Sequence, residues 1–192
     1  DGAADRAVAA AISQFGGLDI LISNAGSAQT GAMLELDDQQ LASAYDLNFF
    51  APYRFARAAG HCLQRQGQGG QLLFNISKQS VNPGRNFGAY GLPKASTFFM
   101  VRQLALELGE AGIRVNGVNA DRIRSGIVTE DFIASRADAR GIDAADYMSG
   151  NILQKEVEAK HVAEAFLMLA QMARTTGHIV TVDGGNIEAS LR

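Results

Sequence analysis

The chain has 192 residues, of which 47% are hydrophobic, so it is long enough to bury one full core. Its net charge of −3 argues against the basic surface typical of proteins that bind nucleic acid or anionic membranes. The single cysteine, Cys62, cannot form an internal disulfide, which fits a reducing compartment. There is no apolar run of the roughly 20 residues that span a membrane, and no signal peptide is recognisable. We expect one soluble, cytoplasmic domain over residues 1–192.

Apolar residues at helical spacing predict five helices, separated by short apolar runs. Asp37 is a plausible N-cap with Gln40 at the third helical position, as in a capping box. Residues 141–158 have the least regular pattern. The predicted helices cover Asp5–Phe15, Asp38–Arg65, Tyr90–Gly109, Glu130–Arg140 and Lys160–Ala173.

Four strands are predicted, and their alternation with helices indicates an α/β fold with a parallel sheet. The small residues Asn24, Ala25 and Gly26 follow the first strand, where open α/β sheets bind ligands. The predicted strands are Leu18–Ser23, Gln71–Ile76, Ile113–Val118 and His178–Val182.

The stretch 74–94 holds the residues that favour acid/base chemistry. Tyr90 and Lys94 are four residues apart, so on a helix they lie on one face. A nearby ammonium is expected to lower the tyrosine pKa from roughly 10 towards neutrality. Ser77 lies thirteen residues before Tyr90 and could hydrogen-bond a substrate oxygen. Tyrosine and lysine at this spacing also occur by chance, so the pair alone does not establish a site.

Pro52 lies inside a predicted helix and leaves the carbonyl of Asn48 without its helical donor. Two interpretations stay open at this point. Asn48 is either a polar fixture with a released carbonyl, or the proline only bends the helix around the core.

No metal site is expected, because the three histidines have no ligand spacing with one another or with Cys62. Four cations, Lys78, Arg85, Arg122 and Arg124, lie near the predicted crevice. They are either solvated surface residues or ligands of an anionic substrate or of cofactor phosphates.

These motifs together resemble the short-chain dehydrogenase/reductase family over nearly the whole chain. The matching segments are Asn24-Ala25-Gly26, Asp46-Leu47-Asn48, Ser77 with Tyr90 and Lys94, Arg114-Val115-Asn116, and Thr176-Gly177 through Gly185. The resemblance implies a Rossmann-like, doubly wound parallel sheet and a nicotinamide cofactor, NAD or NADP.

The resemblance also implies roles for the catalytic candidates. Tyr90 would be the general acid/base, and Lys94 would lower its pKa and bind the nicotinamide ribose. Ser77 would orient the substrate oxygen, and the Asn48 carbonyl would hold a water that links Lys94 to solvent. Ile123 would face the nicotinamide carboxamide. The implied cofactor-binding set is Asn24, Ala25, Gly26, Tyr90, Lys94, Ile123 and Ser125.

Two departures from the family pattern shape the expectations. The glycine-rich turn that holds the cofactor pyrophosphate and the first three strands of such a domain are not in this sequence. We therefore expect a truncated Rossmann-like sheet from a larger parent. After Val118, Asn119-Ala120-Asp121 replaces the usual Pro-Gly. The cations Arg122 and Arg124 also replace ordinary residues, which favours anion recognition for these two.

The variant segment 114–126, residues 147–151 and the tail 183–192 are similar to the dehydrogenase half of bifunctional proteins. Those proteins resemble rhamnulose-1-phosphate aldolases fused to a lactaldehyde dehydrogenase. The resemblance implies that an aldolase domain lies upstream.

Two functions compete. The leading hypothesis is an NAD(P)-dependent oxidoreductase acting on a small hydroxy or carbonyl compound, sugar-derived, such as lactaldehyde. The alternative is a non-catalytic truncated module that serves folding or oligomerisation, and the absent phosphate loop predicts that this fragment is inactive alone. A homo-oligomer, dimer or tetramer, is expected to form through the helices at Asp38–Arg65 and Tyr90–Gly109.

Overall fold

A computed structural model describes residues 2–186 of the chain. Its core is a four-stranded parallel sheet in the order β1-β2-β3-β4, which confirms the predicted fold class. The strands are β1 Ile20–Ser23, β2 Gly70–Asn75, β3 Ile113–Ala120 and β4 Ile179–Val182. Each differs from its predicted bounds by one or two residues at an end, because apolar pattern sets strand ends loosely.

Seven α-helices are present in the described part of the chain. The Asp37 capping box forms as predicted, with the Asp37 carboxylate accepting from the Gln40 amide at 2.7 Å. A short helix that the sequence pattern did not predict, α6, lies in the irregular stretch. The helices are α1 Ala3–Phe15, α2 Asp38–Tyr45, α3 Ala51–Gln66, α4 Gly88–Leu108, α5 Glu130–Asp138, α6 Ala144–Ser149 and α7 Ala159–Gln171.

Helices pack on both faces of the sheet, as in a doubly wound fold. On one face, helices α3 and α4 bury Leu63, Phe74 and Val101 in the larger core. On the other face, Val118 and Leu169 belong to a smaller core that packs α7 against the sheet. None of the helices in residues 2–186 is long and apolar enough to cross a membrane.

Strand β1 forms one edge of the sheet. Its side chains alternate, so Leu21 packs against the larger core while Ile22 is 52% exposed on the opposite face. No helix in residues 2–186 covers that face of β1, which is why an apolar strand has exposed isoleucines. Phe15, at the end of α1, is also exposed.

Pro52 reshapes the predicted helix at 38–65 instead of only bending it. Between α2 and α3 the chain makes a π-helical turn over Asp46–Phe50. The Ala51 amide bonds the Asp46 carbonyl, five residues back, so the ordinary ladder is interrupted just before the proline. Asn48 lies in the middle of this turn.

Candidate active site

The candidate residues gather where the parallel strands end. Asn24 follows β1, Ser77 comes two residues after β2, and Asp121 follows β3 directly. The carboxyl ends of parallel strands share one edge of the sheet, so these residues lie along one rim. Helix α4 begins at Gly88 and places Tyr90 in its first turn beside that rim.

Ser77 and Tyr90 meet through their hydroxyl groups, which are hydrogen-bonded to each other. Ser77 also caps the 3-10 turn at Lys78–Ser80, where its oxygen accepts from the Gln79 amide at 3.3 Å. That turn packs against α4 and brings the serine to the helix. Both side chains are buried, so the serine and tyrosine predicted to converge do so.

The pKa of Tyr90 differs in direction from the sequence expectation. Burial raises the pKa of the Tyr90 phenol, and the hydrogen bond from Ser77 lowers it by less. The Lys94 ammonium lies over the tyrosine ring, 5.6 Å from its centroid. The expected lowering of the Tyr90 pKa is therefore wrong for this structure, because desolvation of the phenol outweighs the hydrogen bond from Ser77.

Lys94 is only 4% exposed, and its ammonium donates to the Asn75 carbonyl at 2.9 Å. No ion pair with a carboxylate is found for it among residues 2–186. Burial lowers the pKa of Lys94 to about 8, since nothing negative compensates the lost hydration. This lysine is close to its titration point at physiological pH.

Asn48 is a polar fixture of the site, which decides between the two interpretations left open by the sequence. Its side chain donates to the Ser27 carbonyl at 2.9 Å and accepts from the Ser27 amide at 3.2 Å. A Cβ at Gly26 would lie 2.8 Å from the Asn48 side-chain oxygen and 3.6 Å from the Lys94 nitrogen. The asparagine thus fixes the turn after β1, and Gly26 leaves too little room for a side chain beside Asn48 and Lys94.

Sequence reasoning missed a residue that binds the backbone of Asn48. The buried hydroxyl of Thr97 lies 2.9 Å from the carbonyl of Asn48 and 3.0 Å from that of Pro93. Its single proton is shared between these acceptors. The signal was available, because Thr97 is a polar residue three positions after Lys94 on the buried side of α4.

Comparisons with known proteins now add to this geometry. A family model described as "Enoyl-(Acyl carrier protein) reductase" matches residues 1–186. The chain is 31% identical over 184 residues to "Short-chain dehydrogenase reductase 3a" of Arabidopsis thaliana, covering 94% of this chain and 70% of that protein. The chain belongs to the short-chain dehydrogenase/reductase family.

Two further relatives of this short-chain dehydrogenase/reductase are informative. "Uncharacterized oxidoreductase YuxG" of Bacillus subtilis is 33% identical over 183 residues, which cover 89% of this chain but 26% of YuxG. The crystal structure of carveol dehydrogenase from Mycobacterium avium in complex with NAD superposes with a TM-score of 0.88 at 25% identity. The superposition covers 96% of this chain and 70% of that one.

The turn after β1 fits a nicotinamide cofactor in this short-chain dehydrogenase/reductase. Asn24 and Ala25 are exposed, and Gly26 leaves space beside Asn48 and Lys94 that a Cβ would fill. The Asn24 side-chain oxygen accepts from Asn75 at 2.7 Å, which fixes the turn to the end of β2. A small-residue turn next to a buried ammonium suits a ribose, whose hydroxyl oxygens can accept hydrogen bonds from that ammonium.

Ile123 and Ser125 lie beyond the end of β3, and their cofactor roles remain predictions. Ile123 is partly buried against the smaller core. The exposed Ser125 hydroxyl accepts from the amides of Ile127 and Val128 at 3.2 and 3.3 Å, and it keeps its proton to donate. The tail beyond Asn186, which contributed to the resemblance, lies outside the described residues.

The cations near the site are engaged with the protein, which corrects the expectation for three of them. Arg122 donates to the carbonyls of Tyr147 and Gly150, and Arg124 pairs with two glutamates, so neither presents a free guanidinium to an anion. Lys78 is not a solvated surface residue, since it pairs with the buried Asp121 at 2.9 Å. In residues 2–186 no cluster of three or more potential metal ligands is found.

Proposed function

We propose that this chain carries the acid/base centre of an NAD(P)-dependent oxidoreductase that interconverts a hydroxyl and a carbonyl group on a small molecule. The observation that carries the proposal is the hydrogen-bonded pair of Ser77 and Tyr90 with the buried Lys94 over the tyrosine ring. A phenol, a hydroxyl and an ammonium at one strand-end rim are the groups that proton transfer at a substrate oxygen requires.

In the direction of carbonyl reduction, Tyr90 donates its proton to the carbonyl oxygen while Ser77 hydrogen-bonds the same oxygen. Burial keeps the phenol protonated, because it raises the pKa of Tyr90, so the acid is in the correct form at neutral pH. Lys94, with a pKa lowered to about 8, then returns a proton to the phenolate. In the oxidation direction the same protons move backwards.

The cofactor would be held at its nicotinamide end by Lys94, Tyr90, Ile123 and the turn 24–26, with Ser125 towards the phosphates. When bound, it supplies or accepts the hydride. The residues of this chain would bind and orient the reactants and move the proton, and Asn48 fixes the turn after β1 through Ser27. Four buried polar side chains at one site disfavour the alternative, a non-catalytic module that serves only folding or oligomerisation. They are Asn48, Ser77, Tyr90 and Lys94.

The decisive experiment is Tyr90→Phe in the whole protein, with Tyr53→Phe as the control. Tyr53 is 39% exposed on α3 and takes no part in the rim. Loss of the acid/base proton is expected to lower kcat at least 100-fold, while thermal stability and cofactor binding stay near wild type. A variant that keeps more than about a tenth of wild-type kcat would overturn the role of Tyr90.

We also propose that the substrate is a small sugar-derived compound such as lactaldehyde. The support is the resemblance of segments 114–126 and 147–151 to lactaldehyde dehydrogenase fusions. The test compares kcat/KM for lactaldehyde with kcat/KM for propanal, which lacks only the 2-hydroxyl group. Equal values for the two aldehydes would contradict the assignment.

A further proposal is that the cofactor phosphates are bound by a segment upstream of this chain, in a parent with an aldolase domain. Its support is the 26% share of YuxG that the chain covers and the exposed edge strand β1. The 192-residue chain alone should then show no calorimetric binding of NAD or NADP. A dissociation constant near micromolar, about −8 kcal/mol, would contradict this.

The last proposals concern assembly and location. The chain is one domain of a cytoplasmic homo-oligomer that pairs through α3 and α4, where Phe99 is 67% exposed and Phe50 and Tyr53 are also accessible. Light scattering should report a dimer or tetramer, and a concentration-independent monomer would contradict the pairing. Cell fractionation tests the location, and recovery in the membrane or secreted fraction would oppose it.

A further inference from the structure

A buried charge cluster lies beside the candidate active site, centred on the carboxylate of Asp121. One oxygen of Asp121 accepts from the Lys78 ammonium at 2.9 Å and from the Asn186 amide at 2.7 Å. The Arg122 guanidinium lies 3.4 Å from the same oxygen. Side-chain exposures of 17%, 7% and 18% for Lys78, Asp121 and Arg122 place all three charges largely out of water.

The cluster begins one residue after Ser77. Lys78 starts the 3-10 turn whose first carbonyl, that of Ser77, accepts from the Ser80 amide at 2.9 Å. The Lys78 carbonyl accepts from the amides of Val81 and Asn82 at 3.0 and 2.8 Å. The ion pair with Asp121 therefore ties the turn that carries Ser77 to the end of β3.

The other side of the cluster reaches helix α6. The Arg122 guanidinium donates to the Tyr147 carbonyl and lies 4.9 Å over the centre of the Tyr147 ring. Arg122 has φ +50°, a left-handed conformation that a non-glycine residue adopts only where its surroundings hold it. The same guanidinium contacts the carbonyl of Gly150, where the chain leaves α6.

Asp121 is the only group of the cluster that can connect both sides. Among the described residues it is the sole anion between the two cations, and without it Lys78 and Arg122 would face each other with a net charge of +2. Like charges out of water repel strongly, and a polar group buried without its partner is unfavourable. Loss of this carboxylate would therefore push apart the Ser77 turn and α6.

We propose that Asp121 is a positioning residue that holds the Ser77 turn and helix α6 together beside the candidate active site. The proposal rests on the proposed function in one respect, since it assigns Ser77 a role in that reaction. The structural coupling itself, between residues 78–82 and 144–149, is independent of any activity.

Hydrogen–deuterium exchange of the whole protein tests the coupling. Asp121→Asn and Lys78→Met should speed exchange at the amides of residues 80–82, and Asp121→Asn alone should also speed exchange over 144–149. Arg124→Gln is the matched control, because it breaks ion pairs close by in sequence but outside the cluster. Unchanged exchange at 80–82 in both cluster variants would overturn the proposal.

A small carboxylate should replace the missing group. In Asp121→Ala, formate is expected to restore slow exchange at 80–82 relative to chloride at the same ionic strength. Restoration by both salts alike would indicate general charge screening, and it would overturn the specific role of the carboxylate.

Kinetics test the link to Ser77. Asp121→Asn should lower kcat by about 10-fold with KM within a factor of two, since it displaces a reacting group and touches no substrate. The double variant Asp121→Asn/Lys78→Met should be no slower than the slower single variant. Multiplicative effects would overturn the positioning role. If the protein has no oxidoreductase activity, the exchange experiments still decide the coupling, so the two failures are distinguishable.

Discussion

Two lysines are buried at the carboxyl rim of the sheet, and they are treated differently by their surroundings. Lys94 has a neutral carbonyl as its hydrogen-bond acceptor, and burial lowers its pKa to about 8. Lys78 has the carboxylate of Asp121 at 2.9 Å, which itself accepts from Asn186. The Lys94 ammonium is left uncompensated beside Tyr90, whereas the Lys78 ammonium is neutralised by the Asp121 carboxylate.

The two lysines therefore differ in what their charge can do. The ammonium of Lys94 can titrate near neutral pH, whereas that of Lys78 belongs to an ion pair that holds structure together. An uncompensated buried ammonium destabilises the fold, but it titrates near neutrality and can exchange a proton with a neighbouring phenol. A buried ion pair holds its elements in place only while both partners are present. We therefore expect substitutions at Lys94 and at the Lys78–Asp121 pair to separate activity from stability.

The largest effect is expected for activity at the poised lysine. Lys94→Met removes the proposed proton source beside Tyr90 and a proposed cofactor contact, so kcat/KM of the whole protein should fall at least 100-fold. Lys155→Met, at an exposed lysine, is the control and should leave kcat/KM unchanged. Activity above about a tenth of wild type in Lys94→Met would show that the lysine is not needed.

At the structural pair, the larger effect is expected for stability. Asp121→Asn leaves Lys78 and Arg122 buried without an anion and should lower the free energy of unfolding by about 2 kcal/mol. Urea denaturation followed by circular dichroism measures the change. A loss below about 0.5 kcal/mol, the range of ordinary surface substitutions, would mean that the pair is not structural.

In contrast to Asp121→Asn, substitution of Lys94 should raise the free energy of unfolding at neutral pH. The pKa of Lys94 lies below its ordinary value of 10.5, so the unfolded chain binds more protons between pH 8 and pH 10.5. The burial penalty is fully present below pH 8 and is relieved as pH rises through that window. Lys94→Met should therefore gain about 1 kcal/mol at pH 7, after loss of the hydrogen bond to Asn75, and the gain should shrink and turn into a loss as pH rises towards 10.5.

Denaturation midpoints of wild type and Lys94→Met at several pH values test the sign of this effect. A constant difference between the two proteins from pH 7 to pH 11 would show that the lysine does not titrate in that window. Lys155→Met again serves as the control, since an exposed lysine should show no such trend.

The smallest effect on stability is expected at an exposed ion-pair network that involves neither Lys94 nor the Lys78–Asp121 pair. Arg124 contacts Glu130 and Glu156, and its side chain is 42% exposed. Arg124→Gln should change the free energy of unfolding by no more than about 0.5 kcal/mol, because solvent screens such pairs. A loss comparable to that of Asp121→Asn would remove the distinction between buried and exposed pairs.

The sequence by itself determined the parallel α/β fold and the meeting of Ser77 with Tyr90. Alternating apolar runs and helical stripes are local patterns, and the four-residue spacing of Tyr90 and Lys94 places both on one helix face. The sequence also showed that Pro52 leaves the Asn48 carbonyl without its helical donor, but it left two interpretations of Asn48 open. These features depend on residues close together in the chain.

Only the tertiary structure decided the partners of the buried charges. Lys78 and Asp121 are 43 residues apart, and no local pattern connects them. The direction of the Tyr90 pKa likewise depends on burial, which is set by how α4 packs on the sheet and not by the neighbouring lysine alone. Desolvation and long-range pairing arise from how the elements pack, so they cannot be read from residues that are neighbours in the sequence.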